Sequence, residues 1–407
     1  MAPKSVKSSN VPNLRFPGFS DPWIKAKLGD IAEKINSGKT PLGGESNYLT
    51  EGVLFVRSQN VNNDRLELEN IVYISENVNA GMKNSVVRAN DILLNITGAS
   101  LGRSCVVPED FEKGNVNQHV CIIRPRKQYN PRFIQPILGS TRGQAIFESL
   151  QTGSGREGLN FDSIKKIELD FPSLPEQEKI ADFLSLIDRR IQTQNKIIQR
   201  LETLIKGLCQ NLFKEGNDPS WSKFYLKSLL IERREFNIAN YPVHSVSVSR
   251  GVINQIEYLG RSFAAKDTSN YNVVYNGDII YTKSPTGEFP YGVIKQSFVN
   301  EKVAVSPLYG VYRPKNIYLA NILHYYFSNP INTNNYLHSL VQKGAKNTIN
   351  ITNQDFLNKE IYLPSDENQI KTISLLLNSI TKKIRAEQSL HDRLLQQKQY
   401  LLQNMFI

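Results

Sequence analysis

The chemistry this chain can offer lies in two sets of polar and basic side chains. Lys39, Arg57, Gln59, Asn60, Arg103 and Arg156 fall in its first half; His244, Arg250, Lys283, Tyr291, Lys343 and Lys346 fall in its second. They sit in or beside loops rich in Gly, Asn, Ser and Lys, such as NSGKTPLGGESN (36–47) and SPTGEFPYG (284–292). Loops of that length in a compact domain usually bind something or are disordered. Arg or Lys can grip guanine N7 and O6 in the major groove, and Asn or Gln can pair with adenine N6 and N7. Other Lys and Arg neutralise phosphate and add affinity without sequence information. Any one of these residues alone reads as a solvated surface group. Their clustering, twice and at matched places, makes them candidate DNA contacts.

Enzyme chemistry finds less support. INSGKT (35–40) ends like a phosphate loop, but Glu33 stands where the first Gly of the Gly-x4-Gly-Lys-Thr pattern belongs. An amino-methyltransferase would need an Asn/Asp-Pro-Pro-Tyr/Phe motif and a Gly-rich cofactor loop, and the sequence has neither. The Cys and His residues lack zinc spacing. Asp110 and Glu112 read as a solvated loop, and His119 and His391 as core or surface groups. We therefore assign no catalytic residue, metal ligand or cofactor site to this chain. The net charge of +11 and pI near 9.3 make a polyanionic partner plausible. No run of eighteen apolar residues suggests a membrane span, and MAPKSVKSSN lacks the apolar stretch of a secretory signal. Cys105, Cys121 and Cys209 are odd in number and unpatterned, which points to reduced thiols and the cytoplasm.

The elements that must position these loops are dominated by one long pattern. Ile180, Leu184, Ile187, Ile191, Ile198, Leu201, Ile205, Leu208 and Leu212 step by four and three, broken only at Gln194. That is the seam of a coiled-coil helix, and a seam so narrow needs a partner. A second helix predicted from Pro364 to Phe406 supplies one. Ile373, Leu377, Ile380 and Ile384 keep the rhythm, and Leu390, Leu394 and Leu401 follow after a shortened step the size of a stammer. Both stretches open on Leu-Pro and close on CQNLF or LQNMF.

The rest of the chain repeats with the helix, at a period near 190 residues. VRANDILLNITGASLG (87–102) matches VVYNGDIIYTKSPTGE (273–288), and VCIIRP (120–125) matches LYGVYRP (308–314). The expected organisation is a leader at 1–22, a mixed α and β domain at 23–173, a spacer helix at 174–216, a second domain at 217–363 and a second helix at 364–407. The fold class is α+β, with two long antiparallel helices joining the domains. Three readings fit: a DNA reader and scaffold, a stand-alone DNA methyltransferase or nuclease, and a purely structural coiled-coil adaptor. The missing motifs weigh against the second, and two basic, loop-rich domains against the third.

The duplicated unit, the helix opening LPEQEKIADFLSLID, the leader NLRFPGFSDPW and the run GSGREGLNFDSIKKIELDFP resemble the specificity subunit of Type I restriction–modification systems. The resemblance covers nearly the whole chain and departs at the second helix opening, where PSDENQI replaces PSLPEQEKI. It implies two target-recognition domains, each reading one half of a split, asymmetric DNA site, with the helices as a ruler between them. It implies docking of two modification subunits, which carry the methyltransferase chemistry and S-adenosylmethionine. It also implies restriction subunits that use ATP and Mg. The chain itself would be non-catalytic.

Overall fold

A computed structural model describes residues 11–41, 43–62, 65–151, 158–214, 219–261, 264–343 and 349–407. The chain divides into two compact units. Unit 1 comprises residues 1–194 and 390–407, and unit 2 residues 195–389. The division falls inside the two long helices, not at their ends, because each unit buries its own share of both.

In unit 1, Ile24–Lys27 pairs antiparallel with Glu168–Phe171, which brings the leader against the segment entering the first long helix. The main sheet has four antiparallel strands in the order Ala32–Ser37, Val120–Pro125, Ile92–Asn95, Ser104–Val106. A second four-stranded sheet includes a parallel pair, Val53–Val56 with Gly114–Val116. Two helices, Pro131–Gly139 and Thr141–Leu150, follow the last main-sheet strand. Asn130 caps the first through Arg132 N, and Ser140 caps the second through Gly143 N. Leu94, Ile123, Phe133 and Phe147 form the core with Ile180, Ala181 and Leu184 of one long helix and Met405 and Phe406 at the end of the other.

Unit 2 repeats this connection order. Trp221–Tyr225 pairs with Glu360–Pro364, and the main sheet runs Leu230–Glu232, Gly310–Pro314, Ile279–Tyr281, Ile294–Gln296. Helices Ile317–Ser328 and Pro330–His338 follow. The core is more aromatic: Tyr281, Tyr312, Phe327 and Phe356 pack with Cys209, Phe213, Ile373 and Leu377. The secondary sheets differ, since among its described residues unit 2 has two-stranded pairs there, including the hairpin His244–Ser247 with Gly251–Asn254.

The long helices span Leu174–Leu212 and Glu367–Asn404. Within unit 1 the start of the first packs with the end of the second, and within unit 2 the end of the first packs with the start of the second. Each pairing is therefore antiparallel. Two expectations need correction. The second helix begins at Glu367, not Pro364, because Leu363 and Pro364 stay in the sheet opposite Ser222 and Trp221. Asp366 caps the helix, accepting from Asn368 N at 3.1 Å. Nor is there a stammer. Ile373, Leu377, Ile380, Ile384, Glu387, His391, Leu394, Lys398, Leu401 and Met405 are all buried or half-buried, in unbroken steps of four and three. Polar residues occupy three of those slots, as buried Gln194 does in the first helix. Lys398 meets Asp188 of the first helix at 2.7 Å. No helix among the described residues is long and apolar enough to cross a membrane.

Candidate nucleic-acid interface

The register of the unit 1 sheet decides which loops meet. Ser37, at the end of its strand, lies opposite Cys121, and Asn95 lies opposite Val120. Leu94 faces Ser104, where the next strand begins. The loops at 38–41, 96–103 and 117–119 therefore emerge at one end of the sheet. Backbone bonds close that end: Gly38 N donates to Asn117 O at 3.1 Å, and Ile96 N to His119 O at 3.0 Å. A Cβ at Gly38 would fall 1.6 Å from Val116 O, so only glycine allows this approach. Asn95 Nδ2 donates to Ser58 O at 2.8 Å, which ties in the 57–60 loop. Thr97 pairs with Gly158, so the chain following the Gly-flanked loop returns there as well.

Residues separated by over a hundred positions thus converge. Lys39, Gln59 and Arg103 are exposed at this end of the sheet. Lys39 also lines a cavity of about 420 Å³ with Lys83, Asn84 and Ser85. Arg57 is half-buried, with its guanidinium 5.3 Å from the Tyr48 ring and one nitrogen 3.3 Å from Asn70 O. Asn60 does not serve as a contact. It is 1% exposed, its Oδ1 accepts from Arg57 N and its Nδ2 donates to Glu67 O, so it shapes the loop from inside. Arg156 lies outside the described residues.

The same end holds polar groups that sequence reasoning passed over. Thr40 Oγ1 donates to Gln118 Oε1. Gln118 Nε2 lies 3.0 Å from His119 Nε2, and His119 Nδ1 lies 2.6 Å from Thr97 Oγ1. Three loops are thereby linked through side chains alone. The available signal was three hydrogen-bonding residues in a row, Asn117-Gln118-His119, directly before an apolar strand.

Unit 2 builds the corresponding end from other groups. Tyr281 faces Gly310 and Ile294, so Lys283 and Tyr291 emerge together at this end, while Glu232 lies two rows back, opposite Tyr312 and in line with Ile279. A Cβ at Gly292 would fall 1.9 Å from Thr282 O, within the connection between the two strands, so glycine is required here too. Glu232 binds Arg234 at 2.9 Å and Asn353 Nδ2 at 2.7 Å. Burial pushes the Glu232 carboxyl up, and Asn353 and Arg234 outweigh it, leaving the group below the usual carboxylate range. Burial lowers the Lys283 ammonium, against the pull of Glu232. The Tyr291 carbonyl accepts from Tyr281 OH at 2.8 Å, and its ring meets His338 edge-on. Glu232, Arg234 and Asn353 were not among the candidates, which were polar and basic residues in or beside the Gly-, Asn-, Ser- and Lys-rich loops.

The remaining candidates stand apart. His244 and Arg250 are on the separate hairpin. His244 is 9% exposed with Nδ1 3.2 Å from Pro242 O, and burial lowers its imidazole, so it is a buried neutral group and not a surface contact. Arg250 is exposed at the hairpin turn. Lys343 contributes its backbone to a short strand pair with Ile349–Asn350, and its side chain lies outside the description, as does Lys346.

At the start of each central strand, the end away from these loops, an Asp is held in a buried ion pair. Arg124 holds Asp91 through two bonds of 2.6 and 2.7 Å, and Asp91 Oδ2 also accepts from Arg88 N. Arg233 holds Asp278 at 2.7 and 2.9 Å, and Asp278 accepts from Tyr275 N. Each Asp pins the turn that launches its central strand. The two arginines come from different strands.

Residues 20–203 match the family model of the Type I restriction modification DNA specificity domain. The chain is 26% identical over 180 residues to the Escherichia coli Type I restriction enzyme EcoBI specificity subunit, covering 42% of this chain and 37% of that one. It is 22% identical over 214 residues to the putative Type I restriction enzyme MjaX specificity subunit of Methanocaldococcus jannaschii, covering 52% and 50%. The chain spans half or less of the length of these relatives. Its fold is similar to the S subunit of a Type I restriction–modification system from M. genitalium, with a TM-score of 0.64, 12% identity and coverage of 98% of this chain and 99% of that one. Residues 20–203 are thus similar in sequence to the Type I restriction modification DNA specificity domain, and the chain shares the fold of the M. genitalium S subunit.

Proposed function

We propose that this chain is the DNA-reading subunit of a Type I restriction–modification complex and works in the cytoplasm. Each unit reads one half of a split, asymmetric site through its sheet end. The long helices hold the two readers at a set spacing and dock two modification subunits. Those subunits carry S-adenosylmethionine and the methyl-transfer chemistry. Restriction subunits that use ATP and Mg complete the assembly, and the chain itself catalyses nothing. The observation that carries this reading is the paired sheet end: one connection order gathers distant polar loops twice, with different groups each time. Non-identical groups on one framework suit two unlike half-sites.

The test is methyl transfer to duplex DNA from labelled S-adenosylmethionine. The purified chain alone should give none, and the chain with its modification subunits should methylate adenine within one bipartite motif. Specific transfer by the chain alone contradicts the proposal, and so does transfer by the complex without any motif. The helix role has its own test. Four residues inserted near Gly207–Asn211 add roughly 6 Å of helix. The spacer should change by one or two base pairs at about 3.4 Å each, with both half-sites kept. An unchanged spacer with full activity removes the ruler.

A further inference from the structure

We infer that Gln118 reads an adenine, and that Thr40, His119 and Thr97 hold its amide in position to do so. This rests on the DNA-reading proposal and names one contact within it.

Gln118 is an exposed side chain that is nevertheless tied at both amide atoms. Its Oε1 accepts from Thr40 Oγ1, and its Nε2 donates to His119 Nε2 at 3.0 Å. That bond makes His119 Nε2 the acceptor, so the ring proton is on Nδ1 and donates to Thr97 Oγ1 at 2.6 Å. Thr97 is fixed in turn by its pairing with Gly158, and Thr40 by the Gly38–Asn117 closure. An exposed glutamine normally samples many rotamers, and ordering it on binding costs free energy. Here the cost is met by bonds within the protein, which is preorganisation.

The amide then has one N–H and one oxygen lone pair left over. Turning the amide over exchanges the roles of Thr40, His119 and Thr97 but leaves the same two groups free. A free donor and a free acceptor on one amide match adenine N7 and N6, the partners that Gln meets in bidentate major-groove readout. Lys39 and Arg103 flank the site as exposed cations, suited to phosphate. Gln118 is thus the specificity-determining group, and His119 and Thr97 are positioning residues.

The test uses the full chain assembled with its modification subunits, and duplexes carrying the methylated motif. Placing 7-deazaadenine at each adenine in turn removes N7 without touching the protein. One adenine should show several-fold weaker binding with the wild-type complex. The Gln118→Ala complex should bind the intact motif less well, ignore the 7-deaza change at that adenine, and lose a discrimination of roughly 5- to 150-fold against other base pairs there. Thr97→Val keeps the amide but frees His119, and should lose part of that discrimination while all other positions hold. The inference is overturned if no adenine is sensitive in the wild type, or if Gln118→Ala keeps the wild-type sensitivity. Those outcomes leave the wider reading intact. That reading fails separately if the assembled wild type shows no preference for any motif.

Discussion

The two sheet ends share a framework and differ in chemistry. In unit 1 the tip centres on Thr40, Gln118, His119 and Thr97, a linked set of hydroxyls, an amide and an imidazole, flanked by Lys39 and Arg103. In unit 2 the tip is ionic, with Glu232 between Arg234, Asn353 and Lys283. Both rest on the same main-sheet strand order, and each central strand opens on an Asp held by an arginine, from a different strand in each unit. The buried parts, where packing and unpaired charge are costly, are alike. The exposed parts, where substitution is cheap, have diverged. Such a framework can carry different tip residues without changing how it folds.

The largest effect should come from breaking the shared pair. Asp91→Ala leaves the mostly buried Arg124 without its carboxylate, and Asp278→Ala does the same to Arg233. Each should destabilise its unit by about 3–5 kcal/mol. The chain has two tryptophans, buried Trp23 in unit 1 and buried Trp221 in unit 2. Single-tryptophan variants in denaturant therefore report each unit separately. Equal loss in both units from one substitution would mean they do not unfold as distinct bodies.

Acid should separate the units next. His324, in unit 2, is pushed down to about 3 by desolvation and by nearby Lys295 and Arg385. The unfolded chain takes up that proton near pH 6.5, whereas the folded chain does not until about 3. The unfolded state binds more protons between those values, so the stability is fully present above 6.5 and is lost as pH falls toward 3. Trp221 fluorescence should show this loss, and His324→Gln should flatten it. A variant with the wild-type slope removes His324 as the cause.

Substitutions at the tips should act on one half-site each. Glu232→Gln removes the charge that holds Arg234, and base preference in the second half should shift by about 1–3 kcal/mol at one position. The first half should be untouched; altered bases there would show that the tips are not independent. The smallest effect is expected from Lys39→Ala, read as a phosphate contact. Binding should weaken alike for all sequences, with the salt slope shallower by about one. A change in base preference would make Lys39 a reader.

Much of the framework was legible from residue spacing. The heptad seam and the strand runs at 92–95 and 279–281 appear in the structure, and the two main sheets share one strand order. Apolar periodicity reports burial directly, which is why these were readable. The apparent break in the second helix was misread because Glu387, His391 and Lys398 occupy seam slots that apolar counting treats as empty. The tips were only partly legible. Lys39, Arg103 and Lys283 could be chosen by residue type, but Asn60 and His244 have the right type and the wrong environment. Gln118 and Thr97 were missed because their linkage depends on strand register across loops more than twenty residues apart.

The central claim is that each sheet end reads its own half of one DNA site. The most direct measurement replaces residues 23–173 with the first domain of a Type I specificity subunit and maps the methylated motif in a host that supplies the modification subunits. The account predicts that one half-site changes while the other half and the spacer stay as they were. A change in both halves, or in neither, would contradict it.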